Sequence, residues 1–502
     1  MQLILDTSSI ESYRQFLAIK NLPAYRIRGR MASFPDEYAR YIESMVGFNS
    51  LSKSIYKKKR GSYKPEPWLY DYQADITGMA IRKRKFAMFE DCGLGKTLQI
   101  LSYANYVLHN EHGKILILTP LLVVPQMLEE ARRFYGNDMQ IRAVKAAELN
   151  EWLASDGDEI GITNYESLKD TTEKGNLCAL ILDESSVLKS HYGKYGQICL
   201  RLGKGLKWKL CATGTPAPND RIEYANHAVF LDRFPTINAF LATYFINRGE
   251  TENRWELKPH ALKPFYRALS DWCIFITNPA TYGWKDNVGT LPEIRTHIHE
   301  VEMTEQQKKW MQKHCGSLIA TKPGGITLRG AYGQVAKGWH KGTWYETNKP
   351  AFIKSLVDSW KDSESTLVWC CYDKEQTLAE GALHEYMESM DGATPVKHRE
   401  AMVKRFKAGE TRCLISKPKI LGFGLNLQIA TRQVFSGLED SYEKYYQCIK
   451  RSNRIGSTKP LDVHIPLTEL EQPMVENVLR KKDRVDSDTR EQEQIFREQM
   501  IM

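Results

Sequence analysis

Between Trp68 and about Phe230 the chain alternates two hydrophobic rhythms. Apolar runs at 87–90, 115–119, 141–144, 159–163, 179–183 and 208–213 have the length and composition of buried strands. Between them apolar residues recur every three or four positions, as at 98–108 and 124–135, the spacing of a helix with one buried face. Strands that are apolar along their length, each followed by a helix, predict a parallel sheet covered on both faces. The alternation returns near Lys349, with strands expected at 365–371, 412–416, 433–436 and 462–466. The stretch 231–347 differs: it is rich in aromatics and broken at Pro279, Pro292 and Pro323-Gly324-Gly325, and reads as helical insertions plus a connector.

This predicts an α/β protein with a small basic N-terminal module at 1–66, a first parallel-sheet lobe at 67–230, helical protrusions and a connector at 231–347, a second lobe at 348–468, and a charged helix and tail at 469–502. The length of 502 residues accommodates about three domains at about 150 residues each. No apolar run is long enough to span a bilayer, and the N-terminus has neither the basic start nor the apolar core of a signal peptide. The ten cysteines form no Cys-x-x-Cys pair, which fits reduced thiols and a cytoplasmic location, the host cytoplasm for a viral protein.

Charge changes the picture at one end. The net charge is +9, and residues 1–86 alone hold 16 Lys and Arg against 8 Asp and Glu. The clusters Lys57-Lys58-Lys59-Arg60 and Arg82-Lys83-Arg84-Lys85 would attract a polyanion; a solvated charged face is the plainer alternative. Tyr25, Arg26, Arg28 and Arg30, with Phe34 nearby, mix cations and aromatics in a way that suits nucleic acid or a protein partner.

Four segments carry chemistry. A strand, then Glu90-Asp91-Cys92-Gly93-Leu94-Gly95-Lys96-Thr97, then a helix is the plan of a phosphate-binding loop. Lys96 would reach the terminal phosphates and the Thr97 hydroxyl would hold Mg²⁺. Glu90 stands where the usual pattern has its first glycine. A second apolar strand ends in Asp183-Glu184, where Asp183 suits the Mg²⁺ and Glu184 the attacking water. Thr213-Gly214-Thr215-Pro216 forms a turn after the next strand. In Gln447-Cys448-Ile449-Lys450-Arg451-Ser452-Asn453-Arg454, a helix would place Gln447, Arg451 and Arg454 on one face, as guanidiniums for a transferring phosphoryl group.

In this order the segments resemble superfamily 2 helicase-like ATPases, and within them the Swi/Snf-type DNA translocases. Leu69-Tyr70-Asp71-Tyr72-Gln73 is similar to the adenine-reading Q motif, with Gln73 as base contact. Gly93 to Thr97 resembles motif I, Thr119-Pro120 motif Ia, Thr163-Asn164-Tyr165 motif Ib, Asp183-Glu184-Ser185-Ser186 motif II and Thr213-Gly214-Thr215-Pro216 motif III. Leu367-Val368-Trp369-Cys370 resembles motif IV, Gly422-Phe423-Gly424-Leu425-Asn426-Leu427 motif V, and Gln447 with Arg451 and Arg454 motif VI. The resemblance implies two tandem RecA-like lobes with ATP and Mg²⁺ at their cleft. It implies cofactor contacts from Gln73, Gly93, Leu94, Gly95, Lys96, Thr97 and Gly424, and catalysis by Lys96, Asp183, Glu184, Gln447, Arg451 and Arg454. It implies nucleic acid contacts from Thr119, Pro120, Thr163, Tyr165, Trp369, Ser416 and Asn426, and coupling through Thr213, Gly214 and Thr215. Double-stranded DNA is the implied partner, with a protein partner open at residues 1–66. A strand-separating helicase and an ATP-gated scaffold are the alternatives. The compact chain is closest to phage or bacterial members. Two departures stand out: motif II ends Ser185-Ser186 where an Ala-His is common, and Phe435-Ser436-Gly437 lacks the aspartate usual after motif V.

Overall fold

A computed structural model gives the fold and describes residues 2–5, 9–35, 38, 42, 63–171, 173–190, 193–249, 255–286, 291–314, 325–360, 364–385, 387–421, 426–439, 441–454 and 456–499. The chain forms two compact units, Met1–Val288 with Asp486–Met502, and Gly289–Val485. Among the described residues no helix is long and apolar enough to cross a membrane. The basic run Lys57-Lys58-Lys59-Arg60 lies outside the described residues.

The first unit begins with a small module. Strands β1 (Gln2–Ile4), β2 (Arg26–Arg28) and β3 (Met31–Ser33) form an antiparallel sheet in the order β1-β3-β2. The helix Ile10–Lys20 is capped by Ser9, whose hydroxyl accepts from the Ser12 N–H at 3.1 Å. Leu3, Ala32 and Ile27 alternate onto the inner face of the sheet and pack with Ala18, Ile19 and Leu22. Phe34 is part of this core, so it is not the surface aromatic its neighbours suggested.

The strands β4 (Lys85–Glu90), β5 (Lys114–Leu118), β6 (Ile141–Ala143), β7 (Glu159–Thr163), β8 (Leu177–Asp183) and β9 (Trp208–Ala212) follow the predicted rhythm. A short hairpin, β10 (Phe245–Asn247) and β11 (Trp255–Leu257), precedes β12 (Cys273–Ile276). Seven of these strands form one parallel sheet in the order β12-β4-β9-β8-β5-β7-β6. The strand β12 pairs Cys273–Ile276 with residues 87–90, so the first sheet continues into the stretch expected to be helical insertion. Its four apolar residues sit among short helices and aromatics, with no flanking rhythm to mark them as a strand.

The second unit has its own parallel sheet, built from β13 (Ile294–Glu300), β16 (Ser365–Trp369), β17 (Met387–Met390), β18 (Cys413–Ser416), β19 (Ala430–Phe435) and β20 (Leu461–Leu467), in the order β13-β20-β19-β16-β18-β17. A hairpin of β14 (Trp339–His340) and β15 (Thr343–Trp344) lies between. Because β13 pairs with β20, the second unit starts about sixty residues before the expected 348. Both strands that the hydrophobic rhythm missed here, β13 and β17, are sheet edges; β13 is exposed along nearly all its length and β17 is mostly half-buried, so neither carries an apolar run. The expected C-terminal helix is present at Gln472–Gln499, but its last turns belong to the first unit, where Phe496 packs on Phe275 with ring centroids 5.3 Å apart.

A fully buried ion cluster fastens the second unit. The Glu471 carboxylate accepts from Lys349 Nζ at 2.6 Å and lies 2.9 Å from Lys337 Nζ. Lys337 follows the helix Gly325–Ala336, Lys349 opens the helix Lys349–Asp358, and Glu471 closes the turn after β20, so one carboxylate ties three separate segments. The cluster crowds Gly437, in the stretch that lacks the aspartate usual after motif V. A Cβ on Gly437 would lie 1.8 Å from Lys337 Cε and 2.9 Å from Glu471 Oε1, so no side chain fits there while the pair is in place.

Glu471→Gln would leave two buried ammonium groups with no carboxylate between them. We expect it to destabilise the second unit by about 3–5 kcal/mol in urea denaturation, the range for breaking a buried ion pair. A loss below about 1 kcal/mol would show that the cluster does not fasten the fold.

Candidate active site

All the predicted ATP-binding residues of the first unit lie at the C-terminal ends of neighbouring strands β4, β9 and β8, the edge where ligands bind in parallel sheets. Strand β4 ends at Glu90, and the helix Lys96–Asn110 starts at the predicted lysine. Gly95 has φ 74°, a left-handed conformation that needs glycine, and a Cβ there would lie 2.3 Å from Gln73 Nε2. Thr97 is half-buried in the first turn of the helix, and Leu94 is buried under the loop.

The Gln73 amide is committed within the chain. Its Oε1 accepts from the Tyr70 N–H at 3.0 Å and its Nε2 donates to the Leu94 carbonyl at 2.9 Å. The Tyr72 hydroxyl donates to the same carbonyl at 2.7 Å. The Q-motif segment therefore braces the phosphate loop. Gln73, the expected base contact, is buried with both ends of its amide hydrogen-bonded within the chain.

Lys96 Nζ donates to the carbonyls of Glu90 and Asp91, at 2.8 and 3.0 Å. Its charge is thus held inside the loop. Beneath it the Glu90 carboxylate accepts from Gln99 Nε2 at 2.7 Å. Burial pushes the Glu90 carboxyl up to about 7, opposed by the Lys96 charge and the Gln99 bond. A buried acid with a glutamine partner thus fills the place where the usual loop has its first glycine.

Asp183 ends β8 and is buried; Thr119 Oγ1 donates to its Oδ2 at 2.7 Å. Burial and then the Glu184 charge push the Asp183 carboxyl up to about 7, against the Thr119 bond and Lys96. Glu184 itself has φ 55°, a left-handed backbone rare outside glycine and typical of strained functional positions. The coupling segment meets it directly: Thr213 Oγ1 donates to Glu184 Oε2 at 3.1 Å and accepts from the Thr215 N–H at 3.2 Å. A Cβ on Gly214 would lie 3.3 Å from the Glu90 carbonyl, so the turn runs against the phosphate loop.

Several expected nucleic acid contacts have other employment. Thr119 is fully buried on Asp183, and its N–H donates to the Thr163 carbonyl at 3.0 Å. The Tyr165 hydroxyl donates to the Asp183 carbonyl at 2.7 Å, and Thr163 is buried. The side chains of motifs Ia and Ib orient the acidic pair instead of facing outward; Pro120 is half-buried. In the second unit Trp369 is only 1% exposed and donates from Nε1 to Gln433 Oε1 at 3.0 Å. Gln433 Nε2 donates onward to the Cys448 carbonyl at 2.9 Å and to Ser452 Oγ at 2.8 Å, both on the helix Tyr442–Ser452. Ser416 Oγ is buried and donates to the Met390 carbonyl at 2.9 Å. Trp369 and Ser416 are therefore struts, which corrects the expectation of phosphate contacts. Asn426 is exposed, with its Nδ2 donating to Gln428 Oε1 at 3.0 Å. Gly424 lies outside the described residues.

The expected arginine helix is Tyr442–Ser452. Gln447 and Arg451 are buried one turn apart on it, and Arg451 Nε donates to the Gln447 carbonyl at 3.1 Å. Arg454 falls beyond the helix end at Asn453, so the single helical face expected for all three residues holds for two.

Sequence reasoning missed one residue at the acidic pair. The Ser185 hydroxyl lies 3.1 Å from His227 Nε2, inside the core. Burial lowers the His227 pKa to about 4, so the imidazole is neutral at physiological pH. This histidine comes from the helix Tyr224–Phe230 and meets motif II at Ser185, a contact no short motif could announce.

Residues 67–339 match the SNF2-related domain, more than half of the chain, and residues 348–456 match the helicase conserved C-terminal domain. The chain belongs to the SNF2 family. It is 24% identical over 460 residues to the cattle (Bos taurus) DNA annealing helicase and endonuclease ZRANB3, covering 83% of this chain and 40% of that protein. It is 22% identical to the putative ATP-dependent helicase/translocase YwqA of Bacillus subtilis, covering 76% of this chain and 43% of that protein. It is 23% identical to the human SWI/SNF-related matrix-associated actin-dependent regulator of chromatin subfamily A member 1, over 77% of this chain and 40% of that one. The SNF2-family chain thus spans about two-fifths of the length of these relatives. Among solved structures, the Sulfolobus solfataricus SWI2/SNF2 ATPase core in complex with dsDNA covers 86% of this chain and 95% of its own, with 17% identity and a TM-score of 0.39.

The buried Glu90 carboxyl makes a pH prediction. Its folded pKa, raised from 4.5 to about 7, favours the protonated form, so its contribution to stability is complete below about 4.5 and is lost as pH rises through 7. Glu90→Gln removes that loss. The unfolding free energy of the variant minus that of the original chain, from urea denaturation, should grow from pH 5 to pH 8, reaching on the order of 3 kcal/mol. A difference that does not change with pH would show that Glu90 is charged throughout.

Proposed function

We propose that this SNF2-family chain is a nucleic-acid-stimulated ATPase that moves along double-stranded DNA. One observation carries the reading: the Lys96-Thr97 loop follows β4 and the Asp183-Glu184 pair ends β8, the two strands that flank β9, and Thr213 after β9 bonds Glu184. The residues fit a magnesium nucleotide. The buried Asp183 carboxylate, with its raised pKa, and the Thr97 hydroxyl at the loop are hard oxygen donors, as Mg²⁺ prefers. Thr97 and Asp183 would hold the ion, which neutralises phosphate charge when bound.

The chain's own groups do the rest. Lys96 would leave the loop carbonyls for the terminal phosphates. Glu184, oriented by Thr213, would position the attacking water. Arg451 and Arg454 of the second unit would supply guanidiniums to the transferring phosphoryl group, as their match to motif VI supports. Exposed Asn426 is the nucleic acid contact retained from the sequence reading. Backbone contacts of this kind read no sequence, so the motor would work on any duplex.

Two measurements test the reading. Glu184→Gln should abolish turnover while ATP binding persists, because the phosphate and Mg²⁺ contacts remain; Lys96→Ala should weaken binding as well. Unchanged hydrolysis by the glutamine variant would remove Glu184 from the chemistry. ATPase rates with no nucleic acid, duplex DNA, single-stranded DNA and RNA should show the largest stimulation by duplex. Stimulation by single strands alone would favour a strand-separating helicase, and no turnover under any condition an ATP-gated scaffold.

A further inference from the structure

We propose that the open face of the N-terminal sheet is a second binding surface for the phosphodiester backbone of duplex DNA; the inference rests on the reading of the chain as a DNA-dependent motor. Side chains alternate across a strand, and Leu3, Ala32 and Ile27 take the inner face. The register Gln2↔Ser33↔Arg26 and Ile4↔Met31↔Arg28 places the other six on the outer face. That face is uncovered: Ile4 is 65% and Met31 46% exposed, and both arginines are exposed.

Charge decides what fits it. The outer face carries two guanidiniums and no carboxylate, and among the described residues neither Arg26 nor Arg28 has an ionic partner. Separated by two residues, the arginines stand about 7 Å apart along the strand, room for each to take its own phosphate. The basic run at 82–85 contrasts with this. Lys83 is paired with Asp271 at 3.0 Å and Lys85 with Asp232 at 2.7 Å, so both lysines of this run are engaged within the fold. The module is also anchored to the first unit: the Tyr38 hydroxyl donates to the Ser270 carbonyl at 3.4 Å, and Lys83 Nζ lies 6.0 Å from the Tyr38 ring. A polyanion held on the sheet would therefore be held by the unit that carries the phosphate loop. Guanidiniums on backbone phosphates strengthen binding without sequence preference.

The test is the affinity of the full chain for duplex DNA across a salt series, for the original protein, Arg26→Ala/Arg28→Ala and Arg26→Lys/Arg28→Lys. Each lost phosphate contact lowers the slope of log affinity against log salt by about 0.9. The alanine pair should bind every duplex sequence more weakly at low salt, with a slope shallower by about 1 to 2. The lysine pair should retain the slope, and ATP hydrolysis without DNA should be unchanged in both. An alanine pair with the original affinity and slope, in a protein that binds and is stimulated by duplex, would overturn the inference alone and leave the arginines as guards of a sheet edge. No duplex binding by the original protein would overturn the motor reading with it. Tighter binding of single strands lost equally in the alanine pair would contradict duplex as the occupant.

Discussion

Three carboxylates, Glu90, Asp183 and Glu184, end nearby strands of one sheet, with a single ammonium, Lys96, among them. Burial pushes two of these acids, Glu90 and Asp183, up to about 7. Concentrating acids costs stability, and such conflicts between folding and charge are found where a protein binds a cation or a charged substrate. The Lys96 ammonium rests on the Glu90 and Asp91 carbonyls.

What surrounds the acids keeps them in place. Thr119 and Tyr165 fix Asp183, Thr213 fixes Glu184, Gln99 fixes Glu90, and Gln73 and Tyr72 fix the loop that carries Lys96. These partners come from motifs that follow different strands, so several strand ends meet at the acidic pair through hydrogen bonds. In the second unit the helix carrying Arg451 is tied to its sheet by the Trp369–Gln433 chain. The segments expected to touch nucleic acid are, by their side chains, the scaffolding of the catalytic groups.

The sequence was legible where burial was two-sided and chemistry was local. Strands β4, β5, β7, β8 and β9 are apolar on both faces and were found within two residues of their ends. The edge strands β13 and β17 and the isolated β12 lacked that signal, and with them the limits of the two units shifted. The phosphate loop and the acidic pair were visible because each occupies consecutive residues. His227, 42 residues from Ser185, was not. Nor could residue type tell that Trp369 and Ser416 point inward, since indoles and hydroxyls serve equally as nucleic acid contacts and as buried struts. Gly437, read as a departure from the family, is the clearance for a buried lysine.

The resting position of Lys96 makes the central claim directly observable. A crystal structure of the chain with Mg²⁺ and a non-hydrolysable ATP analogue should show the triphosphate in the Gly93–Thr97 loop, with the Lys96 ammonium moved from the Glu90 and Asp91 carbonyls onto phosphate oxygens. A nucleotide bound elsewhere, with Lys96 still on those two carbonyls, would contradict the account.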